Sequence, residues 1–179
     1  MTTVINLYGG SGVGKSTTAA FIFAKMKTQK HQVELVREYV KLWAWSGRKV
    51  RPEDQIYLLG KQSAYESMLY TKVDYIVTDS PILLGGAYAR IHSGERGDYV
   101  GKAAHQFVTN ARDSGIEIHN FVIRRTKPYD PRGRYETESQ ASHNDTLIRA
   151  FLDDYNEPYS VVSGSEDTMA DQIIRMVLS

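Results

Sequence analysis

Val4 to Tyr8 (VINLY) runs directly into Gly9 to Ser16 (GGSGVGKS), and the reading of these thirteen residues decides the fold. VINLY is a short apolar, β-rich run of the kind that forms a strand buried on both faces. The eight residues after it fit the spacing G-x-x-x-x-G-K-S/T at every position. A tight loop can turn successive backbone N–H groups inward only where its residues tolerate unusual dihedral angles, which glycine does. A helix opening near Lys15 brings the positive end of its dipole to the same place. Such a loop cradles phosphates, with Lys15 in reach of the β- and γ-phosphates and the Ser16 hydroxyl able to ligate Mg²⁺. Gly10, Ser11, Gly12, Val13, Gly14, Lys15, Ser16 and Thr17 are therefore the candidate ATP contacts.

Outward from this loop, β-rich runs alternate with helical patterns. Strands are expected at residues 33–36, 75–78, 116–123 and 159–162. Helices are expected at 15–28, about 53–70, 99–113, about 139–155 and about 166–178. Strands alternating with helices imply βαβ units, and hence an α/β fold with a five-stranded, mainly parallel sheet flanked by helices. No repeat and no long linker divides the chain, so one domain over residues 1–179 is expected.

Composition narrows the partners. Hydrophobic residues at 41% and charged residues at 24% are the balance of a soluble globular domain. No run approaches the ~20 apolar residues of a membrane span, and a cytoplasmic protein is the expectation. The absence of cysteine excludes disulfides and thiolate metal sites. A net charge of +1 means that any affinity for polyanions needs a local basic patch.

Ligands of open α/β sheets collect at the carboxyl ends of strands, and two acidic residues fall there. Asp79 follows the run YIVT, where a carboxylate can hold the Mg²⁺ hydration shell or accept a proton from an attacking hydroxyl. Asp79-Ser80-Pro81 is also good helix-capping chemistry. Glu38, in Arg37-Glu38-Tyr39, lies just past the second strand and faces the acceptor side of a cleft; the alternative is a solvated charge paired with Arg37 or Lys41. Trp43 and Trp45 read more readily as core packing than as a base-stacking platform. Arg124, Arg125, Lys127, Arg132 and Arg134 crowd together with Pro128, Pro131 and Gly133. After the fourth strand, such a segment (about 124–138) suits a lid whose Arg124, Arg132 and Arg134 stabilise charge on a transferred phosphoryl group. The same patch could grip a nucleic-acid backbone.

These residues resemble the P-loop kinases of the ribosylnicotinamide-kinase type and their phage relatives, often described as AAA-like ATPases. The resemblance runs through GGSGVGKST at 9–17, REY at 37–39, IYLLGKQ at 56–62 and IVTDSP at 76–81. It continues in RRTKPYDPRGRYETE at 124–138 and FLDDYNEPY at 151–159. It implies a five-stranded parallel sheet, dependence on ATP and Mg²⁺, and a nucleoside- or nucleotide-like acceptor with Glu38 and Asp79 beside it. One departure stands out: deoxynucleoside kinases of this build carry an acidic-Arg pair after the third strand, whereas Asp79 is followed by Ser80.

The expectation is thus a kinase that moves the γ-phosphate of ATP to a hydroxyl of a small nucleoside-like acceptor. Lys15 and the lid arginines would act on the phosphates, Ser16 and Asp79 on the metal, and Glu38 or Asp79 as base. One rival phosphorylates 5-hydroxymethyl pyrimidines in DNA held by the 124–134 segment. A second is a nucleotide-switched ATPase, disfavoured by the lack of a base-specificity motif such as N-K-x-D.

Overall fold

The computed structural model describes residues 1–132 and 134–179; Gly133, part of the basic segment, lies outside the described residues. Five strands form one parallel sheet: β1 (Thr3–Tyr8), β2 (Val33–Val36), β3 (Tyr75–Thr78), β4 (Glu117–Ile123) and β5 (Ser160–Val162), in the order β2-β3-β1-β4-β5. The expected α/β architecture is the one observed. Every residue of β1 is buried, as its unbroken apolar run requires of a central strand. Its neighbours are β3 and β4, in register Ile5↔Val77 and Ile5↔His119. The chain leaves β1 for β2 on one side and later crosses from β3 to β4 on the other, so a crevice opens at the carboxyl end of β1.

Helices cover both faces. Side chains alternate along β1, so Ile5 and Leu7 face α1 (Lys15–Thr28) and α7 (Glu166–Leu178), with Ile22, Met26, Met169 and Ile173. Tyr8 enters a second cluster with Leu83, Val100, Ile148 and Phe151 on the other face. That cluster is built by α4 (Ile82–Ser93), α5 (Asp98–Asp113) and α6 (Glu138–Asp154). A bidentate pair, Arg112 to Glu157 at 2.8 and 2.6 Å, locks α5 to the turn after α6. Asn120 on β4 donates to Pro158 O at 3.0 Å and accepts from Asn6 on β1 at 2.9 Å, which extends the tie into the sheet.

Two helices escape the sequence pattern. The short α2 (Lys41–Trp45) follows β2, ahead of α3 (Asp54–Ser67), and α4 occupies a stretch interrupted by Gly85-Gly86. Glycine in a helix interior costs about 1 kcal/mol against alanine, which masks the pattern. Packing explains its use: a Cβ on Gly86 would lie 2.9 Å from Gly101 Cα and 2.9 Å from the Phe151 ring. Close approach of α4 to α5 thus outweighs propensity. No helix among the described residues is long and apolar enough to cross a membrane.

Glu66, on α3, is an acid the fold keeps out of water at 2% exposure. Tyr70 donates to its Oε1 at 2.6 Å, and Oε2 has no partner. Burial pushes its carboxyl from an ordinary 4.5 to about 7. Between these values the folded chain holds a proton that the unfolded chain has lost. Stability therefore falls as pH rises through this window and levels off above it. Glu66→Gln should remove that slope, worth about 3 kcal/mol at most by linkage. Urea unfolding at pH 5 and pH 8 checks it: the wild type should lose stability relative to the variant at the higher pH.

Candidate active site

The loop from Gly9 to Gly14 leaves β1 at the crevice and delivers Lys15 to the first turn of α1. Gly12 and Gly14 hold φ angles of 79° and 109°, a region that side-chain-bearing residues resist. Val13 anchors the loop by burying its side chain in the core beneath α1. Helix α6 packs against the loop from the far side. Asp145 Oδ1 accepts the Gly10 N–H at 2.5 Å, and Arg125 binds Asp145 through Nε at 2.7 Å. Arg125 Nη2 also donates to Ser11 O at 2.9 Å. Both side chains of the pair are mostly buried, at 13% and 15% exposure, so the contact is an interior brace.

Lys15 turns its ammonium onto the carbonyls of Gly9 and Gly10, at 2.6 and 3.0 Å. Desolvation lowers its pKa, while Glu38, Asp79, Glu136 and Asp145 act to raise it. The sheet order explains the first two, because the ends of β2 and β3 lie beside β1. Asp79, 3% exposed, accepts the Glu38 N–H at 2.8 Å. It does not cap α4, whose N-cap position is held by Pro81 with no side-chain cap. Glu38 lines the cleft, and among the described residues no ion pair joins it to Arg37 or Lys41. Burial raises its pKa, Lys15 opposes that, and the nearby Asp79 charge adds to it.

The cleft measures about 500 Å³. Ser11, Gly12, Gly14, Lys15, Ser16 and Thr17 line one end, and Glu38, Tyr39, Gln62 and Tyr88 line the other. Lys127, Arg134, Tyr135 and Glu136 of the basic segment also line it. Tyr129 sits so close to Gly12 that a Cβ there would meet its ring at 2.8 Å. Arg134 Nη1 donates to Ser11 Oγ at 3.2 Å, and Tyr135 reaches across to Arg48 O at 2.6 Å. Glu136 is steadied by Asn144 Nδ2 at 2.9 Å, just ahead of the Thr137/Gln140 capping box that opens α6.

Of the lid arginines expected at the phosphates, the structure brings Arg134 to the loop. Arg124 is exposed and continues the sheet through its N–H to Val162 O. Arg132 pairs with Asp130 at 2.7 Å with 85% of its side chain exposed. Sequence reasoning missed Asp145, Glu136 and Tyr129 and gave Arg125 no separate part. The spacing Glu136…Asp145 around a helix start carries no motif; only the fold shows that this helix faces the loop.

Ser16 and Asp79 offer oxygen donors, the type Mg²⁺ takes. Among the described residues no group of three or more His, Asp or Glu side chains could hold a metal alone. The ion would therefore complete its shell with phosphate oxygens and water.

A family described as an AAA domain matches residues 4–168. No curated protein matches the chain. Among solved structures it is similar to a mutant of the Mycobacterium tuberculosis APS kinase, at 15% identity and a TM-score of 0.52, covering 99% of this chain and 98% of that one. It is similar also to that kinase in complex with AMPPNP and APS, at 14% identity and a TM-score of 0.53 over the same shares of the two chains. At such identities the likeness is one of fold. The match over residues 4–168 carries the assignment: the chain belongs to the AAA domain family.

Proposed function

We propose that the chain is a kinase that transfers the γ-phosphate of Mg²⁺-bound ATP to a hydroxyl of a nucleoside-like acceptor. The observation that carries this reading is that the Lys15 loop and the half-buried carboxyl of Glu38 line one cleft. An ATPase needs room only for a water beside the phosphates, whereas this cleft also takes in Tyr39, Gln62 and Tyr88, space for an acceptor. The resemblance to ribosylnicotinamide-type and phage kinases, and the fold shared with a kinase captured with AMPPNP and APS, support the same class.

In this reading ATP with Mg²⁺ supplies the phosphoryl group. Lys15 leaves the Gly9 and Gly10 carbonyls for the phosphate oxygens, where its charge offsets that of the transition state. Glu38 takes the acceptor's hydroxyl proton as the oxygen–phosphorus bond forms, the β–γ bridge breaks and ADP departs. Asp79 accepts the Glu38 N–H and, with Ser16, would hold the metal. Arg134 stabilises the transferred group while the lid keeps water from competing for it. Its cavity, about 500 Å³, is of the size that takes small molecules. A cytoplasmic setting fits this chemistry.

The test is a screen of γ-phosphate transfer from ATP to nucleosides, nucleotides, ribosylnicotinamide and hydroxymethylated DNA, with Mg²⁺ varied. Lys15→Ala should cut turnover by about two or more orders of magnitude while leaving the fold intact. Hydrolysis of ATP with no acceptor-dependent product would instead support the switch reading.

The two carboxylates should separate by pH. A base must be ionised, and burial lifts the Glu38 carboxyl above 4.5. The rate should therefore fall on the acid side at a pH above that of an ordinary carboxylate. Glu38→Gln should erase that limb and lower kcat by about a hundredfold or more. Asp79→Asn should keep the limb and raise the Mg²⁺ concentration needed for half-maximal rate. An unchanged acid limb in Glu38→Gln removes Glu38 as the base.

A further inference from the structure

Five side-chain carboxamides are buried among the described residues: Asn6, Gln55, Gln62, Asn120 and Asn144. The three asparagines are engaged within the protein. Asn6 donates to Asn120 Oδ1 at 2.9 Å, Asn120 to Pro158 O at 3.0 Å and Asn144 to Glu136 Oε1 at 2.9 Å. The two glutamines differ. Gln62 reaches Thr78 Oγ1 only at 3.5 Å, the outer limit of a hydrogen bond, and its oxygen has no partner among the described residues. The Gln55 side chain, 5% exposed, has none at all among them. Both glutamines line the cleft.

Helix geometry places them together. Gln55 and Gln62 are two turns apart on α3, so they share one face about 10 Å apart along its axis. Leu59 lies between them on that face, 2% exposed, and belongs to the same apolar cluster as Leu83 and Ala87 of α4. The strip that α3 turns to the cleft thus reads polar, apolar, polar, and Tyr39 and Tyr88 add ring surface to the same cavity. A buried amide with nothing to bind costs stability. Elsewhere in its interior this fold gives its carboxamides partners, and the two it leaves without a firm one are the two on the cavity wall.

A carboxamide sets an acceptor oxygen and an N–H donor side by side in one plane. That pattern matches the edge of a nucleobase, where a ring nitrogen adjoins an exocyclic amino or oxo group. A phosphate would leave the amide oxygen facing an anion, and a lone hydroxyl would use only half of the pattern. Bases carry such groups at opposite ends, and a hydrogen bond of about 3 Å at either end lets one ring span the distance between the two glutamines. We propose that Gln55 and Gln62 read the acceptor's base, which lies along α3 over Leu59. This rests on the kinase reading for one point, that the acceptor lies beside Glu38, and adds what the acceptor must carry: a base with a donor–acceptor edge.

The experiment is calorimetric titration of free nucleosides into the full chain with AMPPNP and Mg²⁺, with transfer from ATP measured alongside. Each of the four common nucleosides is compared with the riboside that lacks the exocyclic group at purine C6 or pyrimidine C4. At least one nucleoside should bind about tenfold or more tightly than its counterpart, the scale of one base-edge contact. Gln55→Leu or Gln62→Leu should bring that preference down to about one while AMPPNP binding stays unchanged, a change that a purely structural glutamine would not produce. The wild-type comparison needs no variant, so it decides the matter even where a variant fails to fold. A wild type that binds no nucleoside, or binds nucleosides and counterparts equally, overturns the assignment, as does a preference that survives both substitutions. Discriminating binding with no phosphorylated product would sink the kinase reading and leave the glutamines' role standing. Equal transfer to nucleosides and counterparts would do the reverse.

Discussion

A single partly buried ammonium group organises the cleft. Lys15 sits at the end of the central strand, where desolvation works against its charge. Two loop carbonyls and four carboxylates offset that cost, and each carboxylate arrives from a different element. Glu38 comes from the end of β2, Asp79 from the end of β3, Glu136 from the lid and Asp145 from α6. Placing β2 and β3 to one side of β1 and the lid and α6 to the other is what lets them converge. The sheet order is thus inseparable from the electrostatics of the cleft. In the proposed reaction the lysine would turn to phosphate, and carboxylates beside a polyanion would call for a divalent cation.

The loop's shape has its own support. Glycine-rich turns are soft, and the left-handed angles at Gly12 and Gly14 permit the cradle without enforcing it. Helix α6 enforces it. A Cβ on Gly10 would fall 2.5 Å from Ala141 O, and Asp145 takes the Gly10 N–H directly. Because Arg125 bridges Asp145 to Ser11 O, the root of the lid and the loop share one brace. Tyr129 over Gly12 and Tyr135 on the Arg48 carbonyl continue the connection to the opposite wall. Lid position and loop geometry are therefore mechanically linked through residues that touch no phosphate.

The sequence made the framework legible because its signals were local. VINLY and the glycine loop carry their own period and spacing, and each of the five strands lies at or within a residue or two of its expected position. Helix α7 was readable from its apolar stripe, whereas α4 was hidden by glycines whose reason is the distant Gly101 and Phe151. In the site the same division holds. Lys15, Glu38 and Asp79 follow from strand ends and a motif. Asp145 and Glu136 do not, because nothing in a sequence says which helix turns toward which loop. Trp43 and Trp45 differ in fate for a related reason: α2 buries one and leaves the other in solvent, and the short run KLWAW carries too little periodicity to divide them.

Charge is the property that linear reading misplaces most. The densest basic run lies at 124–134, yet its cations are largely neutralised by acids 2, 20 and 39 residues away in the chain. The basic residues of 37–61 are more dispersed in sequence and poorer in partners in space. What an approaching polyanion meets is the set of charges without local partners, since a paired guanidinium presents little net field beyond a Debye length. Among the described residues that set includes Arg124 and Arg134 of the basic segment as well as Arg37, Lys41, Lys49, Arg51 and Lys61. At the Lys15 loop the structure offers backbone N–H groups, one lysine and, from the basic segment, Arg134 at Ser11 Oγ.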